Sequence, residues 1–157
     1  LAGMLAACVH NGWPVEAYWA REHPLQQEIL AVVAQATGAV EGDSIVGTDG
    51  CSLPTFGAPL RAFAAAYALL GRPDLAPPER VGDLAPAIDR LRSAMLAHPD
   101  LVGGATALDT ALMRRSRGRY VAKLGAEGLL CMGVMERGWG IAISVESGSD
   151  QRAYGPT

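Results

Sequence analysis

The sequence has little charge, no long apolar run and no even set of cysteines, and each shortage excludes a class of protein. Only 18% of the 157 residues are charged and the net charge is −3, so no basic field attracts nucleic-acid phosphates. No apolar run approaches the roughly 18 residues that a membrane-spanning helix needs, and the first residues lack the pattern of a signal peptide. We therefore predict neither a nucleic-acid partner nor a membrane span.

Cysteine usage points to a reducing environment. Cys8, Cys51 and Cys131 are odd in number and far apart, whereas disulfide-stabilised secreted domains usually carry an even set. Reduced thiols are typical of cytoplasmic proteins, and we predict that location.

The order of the periodic segments predicts the fold class. Half of the residues are hydrophobic, which excludes disorder and is enough for the core of one domain. Helical patterns cover residues 2–9, 14–21, 24–37, 60–70, 83–98 and 106–115, a loop with a brief strand at 45–46 covers 39–59, and extended patterns cover 120–124, 129–135, 141–146 and 151–154. Helices followed by consecutive strands predict an α+β fold, with helices on one face of an antiparallel sheet.

The predicted domain looks incomplete. The chain opens on Leu1, already inside an apolar helical pattern and without a capping residue. A sheet of three strands also leaves its edges open. We expect residues 1–157 to be the C-terminal portion of one larger domain.

Cys51 is the first candidate site residue. It follows Asp49-Gly50, a pair that favours a tight turn, and Pro54 stiffens the exit of this loop. A thiol held beside a carboxylate suits a soft metal ligand or a reactive nucleophile. The alternative is a turn that carries a small apolar residue.

Lys123 is the second candidate, because it lies in the middle of an apolar extended segment. On an interior face its ammonium would lose hydration, which favours the neutral amine that a general base requires. The alternative is an outward lysine on a half-exposed strand.

Other familiar catalytic patterns are missing. His10, His23 and His98 have no metal-ligand spacing and are best interpreted as structural boundary residues. The serines show neither a G-x-S-x-G nor a Ser-x-x-Lys context, so none is marked as a nucleophile.

Several short segments, in this order and spacing, resemble the asparaginase II family typified by the inducible Rhizobium enzyme. They are Ala2-Gly-Met-Leu-Ala, Gly12-Trp-Pro, Tyr18, His23-Pro-Leu-Gln26, Asp49-Gly-Cys51 with Pro54, Met95 with His98-Pro99, Asp109-Thr110, and Val121-Ala-Lys-Leu-Gly-Ala-Glu-Gly128. Each is weak alone, but the combination spans almost the whole chain.

The resemblance implies a fold similar to serine β-lactamases and penicillin-binding proteins, and hydrolysis of L-asparagine to L-aspartate and ammonia by a Ser/Lys mechanism. It makes Lys123 the second catalytic lysine, Cys51 one ligand of a zinc site, and Asp49 the neighbour of that ligand near the metal or substrate. It implies that the nucleophilic serine and the other metal ligands lie upstream, so the fragment alone should be inactive. A homodimer is common among such relatives.

Two positions depart from the family pattern. Leu1 stands where a histidine is usual, and Ser52 replaces a usual glycine after Cys51. Two other functions therefore stay open: a related Ser/Lys acyl hydrolase that acts on another amide, and a non-catalytic binding scaffold.

Overall fold

The chain folds as an α+β protein in the computed structural model, which describes residues 1–39 and 45–148. Its backbone contacts group into two units. The first contains residues 1–35 and 39–58, and the second contains residues 36–38 and the chain from residue 59 onward. The predicted fold class is confirmed, whereas the likeness to serine β-lactamases stays a prediction. The extended segment predicted at 151–154 lies outside the described residues.

The first unit holds two helices and a small hairpin. Its elements are α1 (Ala2–Asn11), α2 (Pro24–Thr37), β1 (Ile45–Thr48) and β2 (Pro54–Gly57). α1 covers the helical pattern predicted at 2–9 and ends at Asn11, because Gly12 takes the left-handed conformation at φ 67° and its amide bonds the carbonyl of Val9.

The helix predicted over residues 14–21 is wrong, since that segment forms turns. Ala17 has φ 52°, which interrupts a right-handed helix. Side chains from the next segment bind the carbonyls that a helix would have used: His23 Nε2 lies 2.9 Å from the Pro14 oxygen, and Gln26 Nε2 lies 2.8 Å from the Tyr18 oxygen.

The predicted loop at 39–59 contains two strands rather than one. β1 and β2 pair antiparallel, with Thr48 opposite Pro54 and Val46 opposite Phe56. Pro54 is the first residue of β2, one of the positions where a proline is tolerated in a strand. The glycine, threonine and proline content that suggested a loop therefore belongs to a tight hairpin.

The second unit packs helices on a three-stranded sheet. The helices are α3 (Leu60–Gly71), α4 (Pro78–Val81), α5 (Ala85–Ala97), α6 (Pro99–Gly103) and α7 (Leu108–Ser116), with 3-10 turns at Pro73–Leu75 and Gly82–Leu84, and the strands are β3 (Tyr120–Leu124), β4 (Leu129–Val134) and β5 (Trp139–Ser144). The sheet is antiparallel in the order β3-β4-β5. The third strand begins two residues earlier than predicted, because Val134 pairs with Trp139 across a tight turn that contains Gly138 at φ 64°. Ala107, not the predicted Thr106, precedes the first residue of α7.

Glycines let α3 lie directly on the sheet. A Cβ built on Gly140 would overlap the Ala64 carbonyl oxygen and lie 2.7 Å from the Ala68 nitrogen, and one on Gly133 would overlap the Tyr67 oxygen. The helix backbone therefore rests against the backbones of β4 and β5. A hydrophobic cluster of Met95, Met113, Val121 and Ala122 fills the space beside it.

No helix in the described part of the chain is both long enough and apolar enough to cross a membrane.

Replacing Gly140 with alanine should destabilise the protein by about 2 kcal/mol or more, because the new methyl group meets backbone that cannot move aside. Gly3→Ala is the matched control. Gly3 lies in α1 with no neighbouring atom within 4 Å, so alanine there should stabilise by roughly 0.5–1 kcal/mol. Urea unfolding measures both, and equal stabilities of the two variants would contradict the close contact of α3 with the sheet.

Candidate functional site

Lys123 lies on the face of the sheet that α3 covers. It pairs with Cys131 across β3 and β4, and two residues along each strand Val121 pairs with Gly133, which α3 contacts. Because β3 is an edge strand of the described sheet, the Lys123 side chain is not enclosed and remains 42% exposed. The amine is thus reachable from solvent while its stem lies over the sheet.

Lys123 is also the sole lysine of the 157 residues, since every other member of the Lys and Arg group is arginine. Arginine stays charged at any accessible pH, whereas a lysine amine can release and accept a proton. The presence of a single lysine therefore marks Lys123 as a candidate site residue, independently of the strand pattern.

Asp109 is the direct partner of Lys123. It lies in the first turn of α7, and it is 0% exposed. Its Oδ2 atom lies 3.2 Å from Lys123 Nζ and accepts a hydrogen bond of 3.0 Å from the Leu124 amide. Its Oδ1 atom accepts a bond of 2.8 Å from the Thr110 amide. The carboxylate therefore joins α7 to the end of β3 that carries the lysine.

The site is built to hold this carboxylate. Gly103 leaves the space for it, because a Cβ at that position would lie 2.6 Å from Asp109 Cγ. Next to it, Thr110 Oγ1 donates a bond of 2.9 Å to the Pro99 carbonyl, which connects α6 to α7. A buried carboxylate is tolerated only when it is paired and hydrogen-bonded, and Asp109 meets both conditions.

Two protonated groups lie near the pair. Burial raises the pKa of Tyr67 well above its ordinary value, and the negative charge of Asp109 raises it further. Burial also raises the pKa of the Cys131 thiol. Tyr67 and Cys131 are therefore neutral at neutral pH, and Cys131 is not a thiolate nucleophile.

The predicted Cys51 loop is the turn of the β1–β2 hairpin in the first unit. Asp49 Oδ1 accepts bonds from the amides of Cys51 at 2.8 Å and Leu53 at 2.9 Å. The tight turn predicted at Asp49-Gly50 is thus confirmed, and the Cys51 thiol is exposed. The carboxylate shapes the loop that presents the cysteine.

Among the described residues, no group of three or more histidine, cysteine, aspartate or glutamate side chains is arranged to hold a metal ion. His23 has a structural role instead. Its Nδ1 atom accepts a bond from the Leu25 amide at 3.1 Å, so its Nε2 atom is the one that donates to the Pro14 carbonyl.

Fold and site together define an α+β protein in which a buried carboxylate holds a single lysine at the edge of the sheet. The family model described as L-asparaginase II matches residues 2–156, and the chain therefore belongs to the L-asparaginase II family. A comparison with curated proteins gives no match. The family match confirms the resemblance drawn from the short segments, and it implies in general terms an amidohydrolase that acts on L-asparagine.

The Cys51 loop offers a test of one departure from the family pattern. Ser52 has φ 66°, in the left-handed region that favours glycine. Ser52→Gly should therefore stabilise the protein by roughly 0.5–1 kcal/mol. In Ser93→Gly, a control at an exposed position of α5, glycine should instead destabilise the helix by a few tenths of a kcal/mol. Thermal unfolding measures the stability of both variants relative to the wild type. A loss of stability in Ser52→Gly would show that the left-handed backbone at Ser52 is not strained.

Proposed function

We propose that this chain forms part of an enzyme that hydrolyses the side-chain amide of L-asparagine to L-aspartate and ammonia, with Lys123 as a catalytic lysine. The family match over residues 2–156 supports the reaction. The observation that carries the role of Lys123 is its amine, held by Asp109 at 3.2 Å and still open to solvent.

The geometry suits a group that acts on a bound amide. An ammonium has three N–H donors, and Lys123 uses two of them, on Asp109 and on the Leu124 carbonyl at 2.9 Å. Among the described residues the third N–H has no acceptor, and we propose that it is left for a reacting group. A fixed amine with one free donor can orient an amide oxygen or nitrogen and exchange a proton with it.

The proposed chemistry is acyl transfer through a serine. The serine hydroxyl loses its proton as its oxygen attacks the side-chain carbonyl carbon of asparagine, and that proton passes to the amide nitrogen as the C–N bond breaks, so ammonia leaves and an ester forms. Water then attacks the ester, its oxygen and one proton stay with the aspartate that is released, and its other proton restores the serine hydroxyl. Since the sequence contains no Ser-x-x-Lys motif, the nucleophile is proposed to lie in an upstream segment.

The proposed zinc site needs more ligands than the described residues supply. Cys51 supplies an exposed thiol, but a zinc site takes at least three protein ligands, and the described residues contain no such group. We propose Cys51 as one ligand and Asp49 as the residue that fixes its loop. A metal there would act as a Lewis acid or hold the fold together, and no step above depends on it.

Two wider properties are also proposals. The three cysteines are all free, which supports a cytoplasmic location. A homodimer is proposed from the resemblance alone.

Lys123→Met in the full-length protein should reduce ammonia release from L-asparagine by about 10²-fold or more, because the variant loses its proton-exchanging group. Arg114→Met is the matched control, since it removes a basic residue from an exposed ion pair with Asp100. It should keep wild-type turnover. Near-normal turnover in Lys123→Met, with a normal circular dichroism spectrum, would refute the role of Lys123.

Cys51→Ala in the full-length protein should lower the zinc content and raise KM for asparagine, because one ligand is lost. Ser52→Gly, in the same loop, should keep both. Elemental analysis of the purified variants checks this, and an unchanged zinc stoichiometry in Cys51→Ala would rule out ligation.

A further inference from the structure

We propose that Asp109 is the positioning residue for Lys123: its buried carboxylate fixes the amine in the place where it meets the substrate. The inference rests on the proposed function of Lys123, and it goes beyond it by assigning the group that makes this lysine effective. Because Asp109 is fully buried, its proposed effect on the reaction acts through the lysine.

The first argument is the connection between helix and strand. A single atom, Asp109 Oδ2, accepts from the Lys123 amine and from the amide of the next residue, Leu124. The carboxylate therefore fixes the strand backbone and the lysine side chain at once. A flexible lysine would otherwise sample many rotamers, and a catalytic group must be held close to its productive geometry.

The second argument is that a purely structural link between α7 and β3 does not need a charge. At the other end of the same helix, Ser116 Oγ accepts a bond of 3.1 Å from the Tyr120 amide, so a neutral hydroxyl makes the equivalent connection. Enclosing a carboxylate costs several kcal/mol before its partners compensate. At the end of β3 that carries Lys123, the link is instead the charged carboxylate of Asp109, which also holds the lysine amine.

The third argument concerns the neighbours. Burial raises the pKa of Tyr67 in α3 and of Cys131, which pairs with Lys123 across the strands, so neither adds a competing charge at neutral pH. Within the described part of the chain, Lys123 is the cation in ion-pair contact with Asp109. The amine is therefore held by one charged partner, Asp109, together with the neutral Leu124 carbonyl.

The test is Asp109→Asn in the full-length enzyme, with Ser116→Ala as the matched control. Both weaken the hydrogen bonding of α7 next to β3, because asparagine offers one acceptor oxygen for the Thr110 and Leu124 amides and alanine offers none for the Tyr120 amide. Both should therefore lower the melting temperature. Only Asp109→Asn should reduce kcat, by about tenfold or more, with KM changed less than about threefold. In Lys123→Met, the added Asp109→Asn change should cause no further loss, because its effect acts through the lysine.

The outcomes separate the two proposals. If Lys123→Met is inactive while Asp109→Asn keeps kcat within about twofold of wild type, the positioning role is wrong and the proposed function stands. If Lys123→Met is active, the catalytic role of Lys123 is wrong, and the positioning role that rests on it is wrong as well. Equal losses of kcat in Asp109→Asn and Ser116→Ala would show a structural effect only, and would also overturn the positioning role.

Melting temperatures cover the case in which Asp109→Asn yields too little folded enzyme. Lys123→Met alone leaves the enclosed carboxylate without its cation, so adding Asp109→Asn should raise the melting temperature above that of Lys123→Met. A double variant that is no more stable than Lys123→Met would contradict the pairing.

Discussion

The enclosed carboxylate of Asp109 is the interaction on which the rest of the second unit depends. An anion removed from water must find charge and donors nearby, and here it finds the Lys123 amine and the amides of Thr110 and Leu124. These three donors come from α7 and β3, and Gly103 of α6 gives the carboxylate room. The requirement to satisfy one charged group therefore fixes the arrangement of two helices around the strand that carries the lysine.

The sheet and the helix that packs on it also determine where the Lys123 side chain lies. Gly133 and Gly140 allow the backbone of α3 to lie against β4 and β5, which sets the helix close to the sheet surface. Because β3 is next to β4 in the register, Lys123 falls on the same face, opposite Cys131. Tyr67 and Cys131, on the same side of the sheet, are uncharged at neutral pH because burial raises the pKa of each. Helix, sheet and carboxylate together leave the Lys123 amine partly exposed at the edge of the sheet.

Features that depend on local interactions could be predicted from the sequence, and those that depend on docking could not. The bounds of α2 and β3 and the turn at Asp49-Gly50 each follow from neighbouring residues, and all were predicted. The failed helix at 14–21 depends on His23 and Gln26, which come later in the chain and take its carbonyls. The role of Asp109 was missed because its partner lies 14 residues away, on an element whose position only tertiary packing decides.

A crystal structure of the full-length enzyme with bound L-aspartate is the most direct measurement. The product's side-chain carboxylate marks the place where the amide reacted. We expect an oxygen of that carboxylate about 3 Å from Lys123 Nζ, with Lys123 still bonded to Asp109. L-aspartate held in a site that Lys123 does not reach, with the amine directed into bulk water, would contradict the account.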